Sequence, residues 1–213
     1  MTQLQQKSSY IKINLDWQID IEMSLVNGGS FLIDESIIKL DDFYMSKYTV
    51  TQGLWKLIMG INPSHFKDCG INNPVENVSW YDAQIFITKL NNQTNEIFRL
   101  PTEAEWKYAC KSGDKNEIYS GGEDIDSIAW YRANSGDMTH KVGTKSSNSL
   151  GINDMSGNVW EWTEDKWDAS DNERIVLGGS WFNNPVYMRC DYRRHYRADY
   201  RNLDIGFRIV KTI

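Results

Sequence analysis

Gly157-Asn-Val-Trp-Glu-Trp162 places two tryptophans on either side of one glutamate, the alternation of a half-buried strand. Downstream, Gly178-Gly-Ser-Trp181 lets the backbone turn tightly before Trp181 packs, and Gly206-Phe-Arg208 lies close to the C-terminus. Upstream, Arg99-Leu-Pro-Thr-Glu-Ala-Glu-Trp106 starts a helix. There Thr102 is the N-cap and Glu105 completes a capping box, so that Trp106, Ala109 and Cys110 face inward. Taken singly, each tryptophan reads as core, because buried rings far outnumber functional ones. Glu103 and Glu105 read as capping and helix-dipole residues rather than a catalytic carboxylate pair.

Two further helices are marked. Thr51 caps a segment whose Leu54, Trp55, Leu57 and Ile58 share a face, and Gly60 ends it. Residues 79–90 carry Ala83, Phe86, Ile87 and Leu90 at helical spacing, with Ser79 and Asp82 near the start. Short strands are expected at Ile11, Ile13 and Leu15, at Ile19, Ile21, Met23 and Leu25, and over residues 43–50, with Gly28-Gly29 as a turn. Beyond Lys111, Gly, Asn, Asp and Ser recur every few residues, which predicts loops joined by short strands. No repeat or linker divides the chain. The expectation is one α+β domain over residues 11–213 with about three helices, preceded by a loose polar arm over residues 1–10.

The 213 residues are 40% hydrophobic and 24% charged, which excludes a disordered, collagenous or membrane-bundle chain. No run approaches the roughly 18 apolar residues of a spanning helix, and the N-terminal region lacks a basic start followed by an apolar core. Neither transmembrane segment nor export signal is therefore expected. A net charge of −6 argues against a nucleic-acid partner, which would need a basic surface. Nine tryptophans and eleven tyrosines suit a core closed by many short segments. Cys69, Cys110 and Cys190 are odd in number and widely spaced, so neither a disulfide framework nor a CxxC metal pair is expected; Cys190 reads as a small buried hydrophobe.

In their order along the chain, the four motifs resemble the formylglycine-generating-enzyme (sulfatase-modifying factor) family. Weaker agreement at Gly28-Gly29-Ser30-Phe31, Tyr48-Thr49-Val50-Thr51, Asn73-Pro74-Val75 and Val78-Ser79-Trp80 extends the likeness over about residues 25–211. The resemblance implies a C-type-lectin fold, loop-rich with short strands. The family's enzymes hold copper on two cysteines after the Gly-Gly-Ser motif. The matching positions here are Asn183 and Met188, neither of which offers the thiolate that Cu(I) selects. A related branch holds iron on histidines, but His65, His140 and His195 are scattered. Nucleophile-elbow, phosphate-loop and H-E-x-x-H motifs are absent. The chain is thus expected to be no enzyme and to require no cofactor.

The resemblance also implies a structural calcium ion at Asp154, Gly157, Val159 and Glu161, where carboxylates and backbone carbonyls would supply hard oxygen ligands. The alternatives are an ordinary turn residue for Asp154 and a buried hydrogen-bond acceptor for Glu161. Asn134 matches a second ion position, in a loop shorter than the family's.

Residues 181–204 differ from the rest in composition. They hold five Arg, four Tyr, three Asn, three Asp and one His, with no Lys, Glu or Gln, and carry +2 within a chain of −6. That mixture is typical of paratopes. Tyr192, Tyr196 and Tyr200 are spaced by four, as are Arg189, Arg193, Arg197 and Arg201, which fits a surface helix. The recurring Asp-Tyr, His-Tyr and Asp-Tyr doublets are not something a helix requires. They resemble the variable region of diversity-generating-retroelement proteins, which share this fold and end soon after a Gly-Phe-Arg. Those proteins are copied with errors at adenine, from codons that never yield Lys, Glu or Gln.

The resemblance implies varied, ligand-contacting positions at Phe182, Asn184, Tyr187, Asp191, Tyr192, His195, Tyr196, Asp199, Tyr200, Asn202 and Asp204. Arg193, Arg197, Arg201 and Arg208 would be scaffold, paired with the acidic body. The favoured expectation is a monomeric, non-catalytic protein that binds a protein or cell-surface ligand and is displayed on a cell or virion. The alternatives are an oxidase of the parent family and a carbohydrate-binding paralogue with a fixed surface.

Overall fold

Apolar alternation and capping residues set the elements, and the two ends of the chain meet in one sheet. The computed structural model describes residues 7–16, 19–33, 35–169 and 172–213. β1 (Tyr10–Asn14), β2 (Asp20–Val26), β5 (Phe43–Ser46), β6 (Phe98–Arg99) and β11 (Val210–Thr212) form an antiparallel sheet in the order β1-β2-β5-β11-β6. β3 (Gly29–Ile33) and β4 (Ser36–Leu40) make a separate hairpin. The second main sheet has the order β10-β7-β8-β9, from Ile205–Phe207, Trp160–Lys166, Glu173–Leu177 and Arg193–Arg197. Within it β10 runs parallel to β7.

The three expected helices form for the expected local reasons. In α1 (Gln52–Met59) the Thr51 side chain accepts the Leu54 N–H, and Gly60 takes a left-handed φ of 84°. α2 (Trp80–Thr94) opens on a Ser79–Asp82 capping box and passes the expected end at Leu90, stopping where Asn95 supplies a left-handed cap. α3 (Glu103–Cys110) opens on the Thr102–Glu105 box. α4 (Ile125–Ile128) was not expected; it is one turn with no side-chain cap and too short for a period to register. The expected loose arm is bonded from Lys7 onward. Lys7 pairs with Asp42 at 2.8 Å, and the Ser9 carbonyl accepts the Leu25 N–H. Residues 1–6 of that arm lie outside the described residues.

Trp106, Trp160 and Trp162 are fully buried, and Trp55 stacks on Phe86 at 5.3 Å with Phe207 edge-on to both. The Gly-Gly pair is obligatory where β8 leaves the sheet. Both residues have positive φ, and a Cβ on Gly179 would lie 2.9 Å from the Tyr187 carbonyl oxygen.

One expectation is corrected. Cys110 and Cys190 are joined in a disulfide, their Cα atoms 5.7 Å apart and both side chains buried. They are 80 residues apart in sequence, so nothing local announces the contact. It arises because the end of α3 meets the segment that the Cys190 N–H anchors to the Ile118 carbonyl.

Candidate binding face

The segment after Gly179 is a loop pinned at both ends. The Trp181 indole N–H donates to the Leu203 carbonyl at 3.1 Å, clasping its start to its finish. Between these points come a 3-10 turn (Pro185–Met188), the disulfide and the edge strand β9. No helix forms over residues 189–201. A spacing of four also satisfies the two-residue period of a strand, and β9 pairs with β8 from Leu177↔Arg193 to Glu173↔Arg197.

Strand parity then divides the segment. Even-numbered Tyr192 and Tyr196 lie over the inner tryptophans of β7, with centroids 6.2 Å from Trp160 and 6.5 Å from Trp162. Tyr187 meets Tyr192 edge-on at 5.0 Å, and Tyr200 stacks on Tyr196 at 4.8 Å. Burial against Trp162 pushes the Tyr196 hydroxyl up to about 12. Arg194 covers the Tyr196 ring at 5.0 Å. Odd-numbered residues face the other way: Arg193 pairs with Glu103 at 3.2 Å over the Trp167 ring, and His195 stacks on Trp167 and lies 2.8 Å from Glu173.

The expected contact residues therefore do not make one surface. Phe182, Asn184, Asp191, Asp199 and Tyr200 are exposed; Tyr187, Tyr192, Tyr196 and Asn202 are half-buried. His195 belongs to the opposite face from Tyr192 and Tyr196, and Asp191 and Asp199 are held by Arg189 and Arg197. Asp204 is buried, with Oδ2 2.9 Å from Ser180 Oγ, because it closes the loop beneath Trp181. Of the expected scaffold arginines, Arg193, Arg201 and Arg208 pair with Glu103, Asp82 and Glu161 of the body. Arg197 instead pairs locally with Asp199, both being exposed.

Sequence reasoning missed the fixed residues that extend the aromatic face. Phe66 lies edge-on to Trp181 at 5.4 Å, and Arg132 covers Phe182 at 5.7 Å. Both come from loops with no compositional bias, so only the fold brings them here.

Among the residues expected around calcium, the side chains of Glu161 and Asp154 have partners within the protein. Both Glu161 oxygens bind the fully buried Arg208 guanidinium at 2.6 and 2.7 Å, and Oε2 also accepts the Trp106 indole N–H at 2.6 Å. The Glu161 charge is offset by the guanidinium, and three of the carboxylate's roughly four acceptor positions are taken. Asp154 accepts the Gly143 N–H at 2.7 Å, and burial pushes its carboxyl up to about 6 against that bond and the pull of Arg208. Asn134 spends its amide on Tyr131 and Ala129 of its own turn. At the positions expected from the sequence to match the family's cysteines, Met188 is fully buried and Asn183 lies 2.7 Å from Ser180 Oγ.

A cleft of about 180 Å³ opens beside the clasp, lined by Trp181, Phe182, Asn202, Leu203 and Asp204. Behind it lies the fully buried Glu76, whose Oε1 accepts the Phe66 N–H at 2.9 Å. Burial pushes Glu76 up to about 7, opposed by backbone N–H groups and reinforced by Asp204. Asp204 is raised for the same reason.

Comparison with known proteins agrees with this architecture. Residues 18–213 match the sulfatase-modifying factor enzyme 1-like domain. Treponema denticola variable protein 1 superposes with a TM-score of 0.89 at 26% identity, covering 96% of this chain and 99% of that one. The chaperone protein LppX of Paenibacillus barcinonensis is 32% identical, covering 90% of this chain and 89% of its own. The formylglycine-generating enzyme of Mus musculus is 28% identical over 85% of this chain, which spans only 57% of that enzyme. The resemblance to variable proteins of diversity-generating retroelements and the C-type-lectin fold both hold. This chain belongs to the sulfatase-modifying factor enzyme 1-like domain family.

Proposed function

We propose that the protein binds a ligand, a protein or other cell-surface component, through residues 181–204 and catalyses nothing. It acts as a monomer displayed on a cell or virion surface, and a retroelement diversifies the coding segment for this face. The observation that carries this reading is the seating of Tyr187, Tyr192 and Tyr196 on the buried Trp160 and Trp162, with Tyr200 stacked outside them. Rigid aromatic anchors supply contact area at low entropy cost, over a base that does not change with them.

Asn183 and Met188 supply no thiolates, which supports a role without copper chemistry. Likeness to a variable protein along nearly the whole chain supports diversification. A buried disulfide fits an oxidising, extracellular setting.

The test is to sequence the coding segment from many isolates alongside any neighbouring near-copy. Changes should concentrate in the codons of residues 182–204, opposite adenines of the copy, while codons for Trp160, Trp162 and Arg208 stay fixed. Identical codons throughout 182–204 would remove the reading. Copper binding with turnover of a peptide cysteine would restore the oxidase alternative.

A further inference from the structure

Asp204 and Glu76 have a chemistry that the aromatic face alone does not use. Asp204 Oδ1 and Glu76 Oε2 are both buried with no hydrogen-bond partner, and neither carboxylate has an ion-pair partner among the described residues. Each is a desolvated acid with one orphan oxygen, and Asp204, at the cleft, is the one that a positive charge entering from outside would satisfy. Asp204 lines the cleft whose walls are the Trp181 and Phe182 rings, centroids 5.4 Å apart, and Phe182 is 52% exposed at its mouth. Aromatic faces attract cations, and arginine stacks on them. The cleft's volume suits one long side chain. Three cations of this chain act near the two acids without reaching them: Arg194 over Tyr196, which acts on Asp204 through space, Lys67, which acts on Glu76 through space, and Arg132 over Phe182 at the cleft.

We propose that this cleft receives one cationic side chain of the ligand, arginine or lysine, beside the packed rings of Trp181 and Phe182 and against Asp204. The proposal rests on the reading of this surface as a binding face and names the chemistry of what it binds. Trp181 and Ser180, which bonds Asp204, hold the floor of the subsite, while the exposed Phe182 wall is one of the varied positions. Asp204 then acts as a buried specificity residue rather than one of the freely exchanged positions. Without a cation, burial favours the protonated form of each acid.

The test uses the whole chain and the Trp181 indole N–H, which the clasp to Leu203 makes a local NMR reporter. The probes are acetyl-Gly-Arg-Gly-amide, its lysine counterpart and its neutral citrulline counterpart. At about pH 8 the two cationic peptides should shift this resonance saturably, with affinity at least about tenfold above citrulline. That preference should vanish in Asp204→Asn and shrink at about pH 5. Phe182→Ala, on an exposed ring, should weaken the arginine peptide about threefold or more, which keeps the test decisive if Asp204→Asn does not fold.

Equal responses to arginine and citrulline, a preference that survives Asp204→Asn, or no shift with any peptide would overturn the proposal. The two readings fail separately: invariant codons over 182–204 remove the diversified face without touching this preference, and loss of the preference leaves the codon pattern standing.

Discussion

Arg208 and Glu161 show how much a single buried pair does in this chain. Arg208 also donates to the Ser46 and Asn153 carbonyls at 3.1 and 2.9 Å, so one guanidinium ties the ends of β5 and β7 to the loop before Gly157. Removing one partner leaves an uncompensated charge, and Glu161→Gln is expected to cost about 3–5 kcal/mol, read as a lowered midpoint in urea unfolding. Glu76 makes the opposite kind of statement. Its folded carboxyl titrates at about 7, above its unfolded value, so the folded state holds the extra proton between the two. Stability should therefore fall as pH rises from about 4.5 to about 7, by up to roughly 3 kcal/mol for a fully desolvated group, and Glu76→Gln should flatten that slope. Unfolding midpoints across this window check the sign. At this scale the sequence was partly legible. The Gly-Phe-Arg motif marked Arg208, but whether Glu161 faces that arginine or a cation depends on a contact 47 residues away. The burial of Asp204 was equally hidden, since composition alone places it with its exposed neighbours.

At the scale of elements, local signals were read well and long-range ones were not. The Thr51 and Gly60 caps and the Thr102–Glu105 box follow from residues within one turn and place α1 and α3, whereas the Asn95 cap that carries α2 past Leu90 went unread. The C-terminal segment resisted because its spacing of four fits a helical and a strand period alike; pairing with β8 decides for the strand. That choice explains why His195 parts company with Tyr192 and Tyr196. The Cys110–Cys190 bond, invisible to spacing rules, anchors the middle of the loop to α3. Replacing both cysteines with serine should lower stability by about 2–4 kcal/mol. In hydrogen exchange, protection should drop first around residues 185–197, with the β1-β2-β5-β11-β6 sheet little changed. Uniform loss across both sheets would mean that the bond holds the whole domain rather than this segment.

For the whole molecule, the arrangement divides labour between a tryptophan-filled body and a loop laid across it. Phe182, Asn184, Asp199 and Tyr200 touch solvent, while Trp160 and Trp162 beneath the tyrosines do not. A fold built this way tolerates exchange outside and resists it inside. The family likeness made this architecture legible from four motifs and pointed to the loop's scaffold arginines, whereas their particular partners, Glu103, Asp82 and Glu161, came only from the structure. The most direct test is equilibrium unfolding of a variant carrying Phe182→Ser, Asn184→Asp, Tyr192→Asn, Asp199→Asn and Tyr200→Asn together, beside the single change Trp160→Ala. The fivefold variant should stay folded within about 2–3 kcal/mol of the parent, while Trp160→Ala alone should lose about 3–5 kcal/mol. A fivefold variant that unfolds as readily as Trp160→Ala, or more so, would contradict the account.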